Sequence, residues 1–336
     1  MAKSRAAVVF IHGLAKKPEK DELLKIWHWA LLRDNPMPNV FGESNKGMNL
    51  DTEDAPTIMS YYADVFYGLD YEKDLQSYFE QNPVKQAGLE LNSQGLTEVE
   101  SGREPPIPVT PREAYFLEML ESKLAANLAL EDDKVPDEAA LPTGYEVAGF
   151  VPRRIREAII KKAAMEAYYF LFNKEYVRPD GARFMVREAL RQRLLDDVNH
   201  ALAIADKVVI VSHSMGTMVA YDLLRNVKTC PRVSTLITLG SPLGVREVQA
   251  ELAPERGGPD FPERVDHWVN IYDPLDPICG PDPRFANDYR PFKDRSVKDI
   301  RESNWGSWRH TITHYLAGVK FRAELTAALD RAPGVQ

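Results

Sequence analysis

Apolar residues recur along this chain with two periods. Short runs rich in β-branched side chains, Ala6–Ile11, Val208–Val211, Ser234–Leu239 and Val265–Tyr272, predict strands. The first two are unbroken, as in strands buried on both faces of a sheet. Thr57–Tyr67, ended by Gly68, predicts a further strand, and the more polar Ser296–Arg301 one of edge type. Helical spacing appears between them. Asp21–Asp34 sets Leu23, Leu24, Trp27, Ala30 and Leu31 on one side before Asn35-Pro36 ends it. Other helices are expected from about Ala182 to Ala205, from Met215 to about Val227, and over Thr313–Leu329. Six strands with helices between most of them predict an α/β fold, a mostly parallel sheet with helices on both faces.

This alternation breaks between residues 70 and 180. Glu72–Phe79 predicts a short helix, and Pro83–Pro108, polar and punctuated by glycine and a Pro-Pro pair, a long connection. Thr110-Pro111-Arg112-Glu113 has the form of a capping box with proline at the first helical position, opening a helix to about Leu130. Glu131–Glu138 reads as acidic loop, and Arg153–Asn173 as a second long helix. The expected division is therefore a core of residues 1–69 and 181–336, with a mainly helical insertion, a lid or cap, over 70–180.

Composition narrows the function. The chain has 336 residues, 44% hydrophobic and 27% charged, ordinary for a globular protein. A net charge of −8 argues against a nucleic-acid partner. Two cysteines, Cys230 and Cys279, give no disulfide framework and favour a reducing compartment. The N-terminal MAKSRAAVVFIHG has too short an apolar run for a signal peptide and reads as a strand. No stretch approaches the roughly 18 apolar residues of a membrane span. A cytoplasmic location is expected.

In open α/β sheets, sites form beyond the carboxyl ends of strands. Ser214 lies there, in Ser212-His213-Ser214-Met215-Gly216, between a buried strand and a helix. That is the setting of a nucleophile elbow, with serine in place of the first glycine of G-x-S-x-G. His12-Gly13 ends the first strand. The amides of Leu14 (or Ala15) and Met215 are placed to form an oxyanion hole. A serine hydroxyl needs a base. Of seven histidines, His28 and His200 lie in expected helices, His267 at the wrong end of a strand, and His12 in the oxyanion turn. His213 adjoins the nucleophile, but its side chain should diverge from that of Ser214. His310 and His314 follow the last strand; with Thr313 as helix cap, His310 stays in the loop and is favoured. Asp273 and Asp276 both follow Val265–Tyr272. Asp276, further along the loop, is preferred as the acid that orients the histidine. Thr311 stands where H-E-x-x-H would need glutamate, and no phosphate-binding glycine motif follows a strand, so neither metal nor cofactor is expected.

Ile11–Ala15 (IHGLA), Ser212–Gly216, Leu239–Gly244 (LGSPLG), Asn270–Ile278 (NIYDPLDPI) and Arg309–Leu316 (RHTITHYL) together resemble the α/β-hydrolase superfamily, in its lipase-like serine esterase branch. The resemblance implies a cofactor-free serine hydrolase that cleaves carboxylic esters through an acyl-enzyme. It assigns Ser214 as nucleophile, Asp276 as acid and His310 as base, with the Leu14 and Met215 amides as oxyanion hole. Thioester hydrolysis, acyl transfer or a non-catalytic binding role on the same fold remain alternatives. Partners would be small-molecule or lipid esters, with a membrane surface a further candidate for the insertion's basic face. The aromatic end of its second helix, Tyr168–Phe172, is expected to line an acyl pocket.

Overall fold

The computed structural model describes residues 3–13, 16–34, 45–71, 108–134, 153–254, 258–279, 282–304 and 309–331. Its centre is a six-stranded, wholly parallel sheet of β1 (Ala7–Ile11), β2 (Thr57–Ser60), β5 (Val208–His213), β6 (Val233–Leu239), β7 (Val265–Tyr272) and β8 (Val297–Arg301), in the order β2-β1-β5-β6-β7-β8. The expected α/β sheet is thus present. The chain moves outward from β1 to β2, then returns to the other side of β1 with β5. The ends of β1 and β5 therefore flank a topological switch point, where the crevice of such a sheet opens.

Alternation along the central strands separates two cores. Ala7, Val9 and Ile11 of β1 and Val208 and Ile210 of β5 face one layer of helices; Val8, Phe10, Val209 and Val211 face the other. The first layer holds α5 (Val186–Ile204), through Leu190, Leu194 and Val198, and α6 (Met215–Asn226), whose residues through Leu224 are all buried. The second holds α1 (Lys20–Leu32), through Leu23, Trp27 and Leu31, with α8 (Ile312–Ala317) and α9 (Val319–Asp330), through Leu316, Phe321 and Leu325.

Two helices of the 70–180 region, α3 (Pro111–Lys134) and α4 (Arg153–Leu171), pack on each other and on α7 (Arg246–Leu252). The capping box forms: the Glu113 amide donates to Thr110 Oγ1 (3.3 Å), and the Glu113 carboxylate accepts from the Val109 amide (2.8 Å). Glu113 also accepts from Tyr168 (2.8 Å) and pairs with Lys174 (2.8 Å), tying the two helices together. Lys123 and Arg112 of α3 pair with Glu247 and Glu251 of α7.

Several elements differ from expectation. The second strand stops at Ser60. Tyr62 leaves the sheet to hydrogen-bond the end of β1, and a short helix, α2 (Ala63–Tyr67), takes up the rest. A two-stranded hairpin of β3 (Glu175–Val177) and β4 (Arg183–Met185) precedes α5. The C-terminal helix is two helices, because Gly318 between them is extended. The first begins after Thr311, not Thr313. Glu72–Phe79, nearly all of Pro83–Pro108, and Leu14 lie outside the described residues.

Candidate active site

Ser214 follows the last residue of β5 directly and opens α6. Its backbone has φ 54° and ψ −128°, a left-handed conformation that a non-glycine residue adopts at appreciable cost. The turn is held on both sides. The Ser214 amide donates to the Leu239 carbonyl of β6 (3.0 Å), and its own carbonyl accepts from the Thr217 amide (3.0 Å) and hydroxyl (2.6 Å). The turn is equally constrained by Gly13, where a Cβ would lie 2.7 Å from that of Ser214. Ser212, standing for the usual first glycine, is accommodated by donating its hydroxyl to the Ile237 carbonyl (3.0 Å). The Ser214 hydroxyl is buried and makes no hydrogen bond to any described residue.

Asp276 lies in the turn after β7, fully buried, and accepts from His310 Nδ1 at 2.9 Å (Oδ1) and 2.8 Å (Oδ2). A carboxylate only accepts, so Nδ1 carries a proton and donates it, and Nε2 is the nitrogen left for proton transfer. Two more donors converge on the same carboxylate: the Tyr315 hydroxyl on Oδ2 (2.7 Å) and the Ile278 amide on Oδ1 (2.8 Å). Burial alone would raise the pKa of Asp276. The His310 charge and hydrogen bond, aided by those from Tyr315 and Ile278, outweigh it and hold the carboxyl below its ordinary value. Tyr315 is pushed well above the ordinary phenol value by burial and by the Asp276 charge, and so remains a donor.

The two aspartates are separated by partner. Asp273 Oδ2 accepts from Arg309 Nη1 (3.2 Å) and the Asn304 amide (2.7 Å), so it anchors the segment leading into His310. Its carboxyl is raised by burial in spite of those bonds. His310 lies just before α8 and His314 within it. His12 does not touch the acid. The Tyr62 amide donates to its Nε2 (3.0 Å), which leaves Nδ1 to donate to the Gly13 carbonyl (2.7 Å), and the Tyr62 hydroxyl donates to the His12 and Gly13 carbonyls (2.9 Å each). This clasp fixes the turn after β1. Tyr62 and Tyr315 carried no sequence signal beyond that of core aromatics.

Met215 is the first residue of α6, so its amide has no acceptor within the helix. Beside it opens an apolar cleft of about 300 Å³, of which only about 20 Å³ admits the centre of a water molecule. Its walls are Leu120 and Leu124 of α3, Ala163 and Ala167 of α4, Met218, and Ile278 near the acid. The aromatic end of α4 is not among them. Tyr168 is drawn to Glu113 by its hydroxyl, Phe172 packs against Phe116 (5.3 Å between centroids), and Tyr169 against Tyr176 (5.2 Å). The smaller alanines one and two turns earlier face the serine instead. Among the described residues no three His, Cys, Asp or Glu gather as metal ligands would, and no helix is long and apolar enough to cross a membrane.

A family model, the PGAP1-like alpha/beta domain, matches residues 159–255, from α4 through the elbow to just beyond α7. That family is of lipase- and esterase-like α/β-hydrolase type. The chain has the α/β-hydrolase fold. No curated protein matches the sequence. A crystal structure of an uncharacterized protein from Pseudomonas aeruginosa aligns at 9% identity and a TM-score of 0.30, over 98% of this chain and 46% of that one. The chain thus spans less than half of that protein, and so faint a likeness bears on neither fold nor function. In this sheet Ser214 follows the carboxyl end of the central β5, Asp276 follows β7, and His310 comes after β8.

Proposed function

We propose that the protein is a serine hydrolase of carboxylic esters, with Ser214 as nucleophile, His310 as base and Asp276 as the acid that orients it. The observation carrying this reading is one arrangement: a serine held at positive φ on a strand-to-helix turn, next in the chain to a histidine that stacks on a second, buried histidine whose Nδ1 is bonded to a carboxylate. Ser214 Oγ attacks the ester carbonyl carbon while His310 Nε2 takes its proton. The Met215 amide, joined by that of Leu14, donates to the oxyanion. Collapse expels the alcohol, which takes the proton back from Nε2 and leaves the acyl group on Oγ. Water, deprotonated by the same nitrogen, then releases the acid. Asp276, kept ionised by its four donor contacts, stabilises the imidazolium present in both steps. The hydroxyl–imidazole hydrogen bond is one that substrate commonly tightens in such sites.

The cleft gives the substrate its character. Among the described residues every wall of the cleft is apolar apart from Ser214 itself, which supports an apolar acyl group lying between α3 and α4. α3 and α4 close over this cleft, the position from which the insertion would serve as a lid. The test is hydrolysis of p-nitrophenyl esters of rising chain length by wild type and Ser214→Ala, with fluorophosphonate labelling of both. Wild type should turn over and label, and the variant do neither while keeping its fold. Equal labelling of the variant refutes the assignment, and turnover of acyl-CoA in preference to esters would shift it to thioesters.

A further inference from the structure

His213 does not enter the steps above, yet it is the side chain most intimately placed against the base. It closes β5, is 1% exposed, and its ring stacks on that of His310 with centroids 4.6 Å apart and planes inclined by 28°. Its Nε2 lies 2.9 Å from the His310 carbonyl oxygen. A carbonyl only accepts, so His213 Nε2 carries the proton and donates. His213 therefore grips His310 twice, by the ring face and by the main chain. The bond from Nδ1 to Asp276 fixes one edge of the ring, and a contact on the ring face acts on the tilt about that bond. The stack is such a contact, and the carbonyl bond fixes the peptide from which the ring hangs.

Covalent continuity adds a second consequence. His213 is bonded directly to Ser214, whose own turn is locked to β6. The residue that precedes the nucleophile thus carries the base, and the separation between Ser214 Oγ and His310 Nε2 is set by one short rigid path through β5. Arg309 on Asp273, a further anchor of the His310 segment, reaches back to the β7 loop.

We propose that His213 is a positioning residue: its Nε2–H and its ring face hold His310 at the distance and tilt from which it deprotonates Ser214. The inference rests on the reading of His310 as base. Two variants separate donor from shape. His213→Phe keeps an aromatic ring and loses the donor, whereas His213→Gln carries an amide nitrogen at nearly the reach of Nε2. Losing one hydrogen bond that aligns a reacting group should lower kcat roughly tenfold in His213→Phe. KM should stay within about twofold, since the cleft is untouched, and His213→Gln should recover most of the loss. A residue that merely fills space would behave in the opposite way, with Phe tolerated and Gln harmful. Folding is checked by circular dichroism and thermal melting. If His213→Phe does not fold, His213→Gln is compared with His213→Asn, whose amide is one methylene too short, and the same advantage for Gln is expected. Wild-type kcat in His213→Phe, a loss confined to KM, or Gln no better than Phe or Asn would overturn the proposal. His310→Ala, run alongside, keeps the two readings distinct. If it is inactive while His213→Phe is normal, only the positioning role falls; if it stays active, the base assignment falls first.

Discussion

Gly240 offers a sharp probe of the site because no part of it is chemically reactive. It follows β6 at φ 53°, and a Cβ there would lie 2.7 Å from Asp276 Oδ2, 3.0 Å from Tyr315 Cε2 and 3.1 Å from His310 Nδ1. Gly240→Ala therefore presses on three members of one hydrogen-bonded group, none of them the floppy end of a long side chain. Restoring an ordinary contact with Oδ2 needs a shift of roughly 0.5 Å, and since misplacement by about 1 Å can cost about 10²-fold, kcat/KM should fall by about 10- to 100-fold. The left-handed backbone adds about 1–2 kcal/mol of strain, enough to lower Tm by a few degrees. Steady-state kinetics on p-nitrophenyl butyrate, with a thermal melt of both proteins, reads both effects. The loss should fall on kcat, because the carboxylate and imidazole move while the apolar walls do not. An alanine variant with kcat within twofold of wild type, or one impaired only in KM, would refute the reasoning.

Other outcomes follow from the same geometry. Tyr315→Phe removes a donor from Asp276 and the acceptor of the Asp273 amide; kcat should fall about tenfold and stability by about 1–3 kcal/mol in urea unfolding. Ala167→Phe, which fills the cleft beside Ser214, should raise KM for octanoate esters much more than for acetate esters, read from the same ester panel. Burial would raise the Glu113 carboxyl, but its bonds from Lys174, Val109 and Tyr168 prevail and lower it from 4.5 to about 2. A carboxyl depressed in the folded state stabilises fully above its unfolded value. Stability should therefore decline as pH falls from 4.5 toward 2, and urea titrations of Glu113→Gln should show a flatter dependence in that window.

The sheet was legible because β1 and β5 are buried on both faces, so AVVFI and VVIV read as unbroken apolar runs, and the equally buried β6 adds only the small residues serine and threonine to its apolar ones. The hairpin of β3 and β4 was not: three residues a strand, four of the six exposed, are too few to show a period. Thr57–Tyr67 misled because the aromatics after Ser60 continue a strand-like pattern while serving another purpose, Tyr62 in clasping His12 and Gly13. Around the candidate site, strand ends alone directed attention to Ser214, Asp276 and His310. The roles of Tyr315 and His213 are set by contacts across 30 to 100 residues of chain, which local pattern does not encode. Set aside because it should diverge from the serine, His213 does so by turning to the other histidine. The expected acyl wall at Tyr168–Phe172 was displaced for a similar reason, since a buried phenol must find an acceptor and the nearest was Glu113.

Four walls of the cleft over Ser214, at Leu120, Leu124, Ala163 and Ala167, come from α3 and α4, whereas Ser214, Asp276 and His310 follow β5, β7 and β8. Selection acting on these two parts can therefore proceed on separate accounts. Drift at Leu120, Leu124, Ala163 or Ala167 would retune what is cleaved and leave untouched how it is cleaved. On the proposed reading, libraries confined to those four positions should diversify selectivity at little risk to turnover.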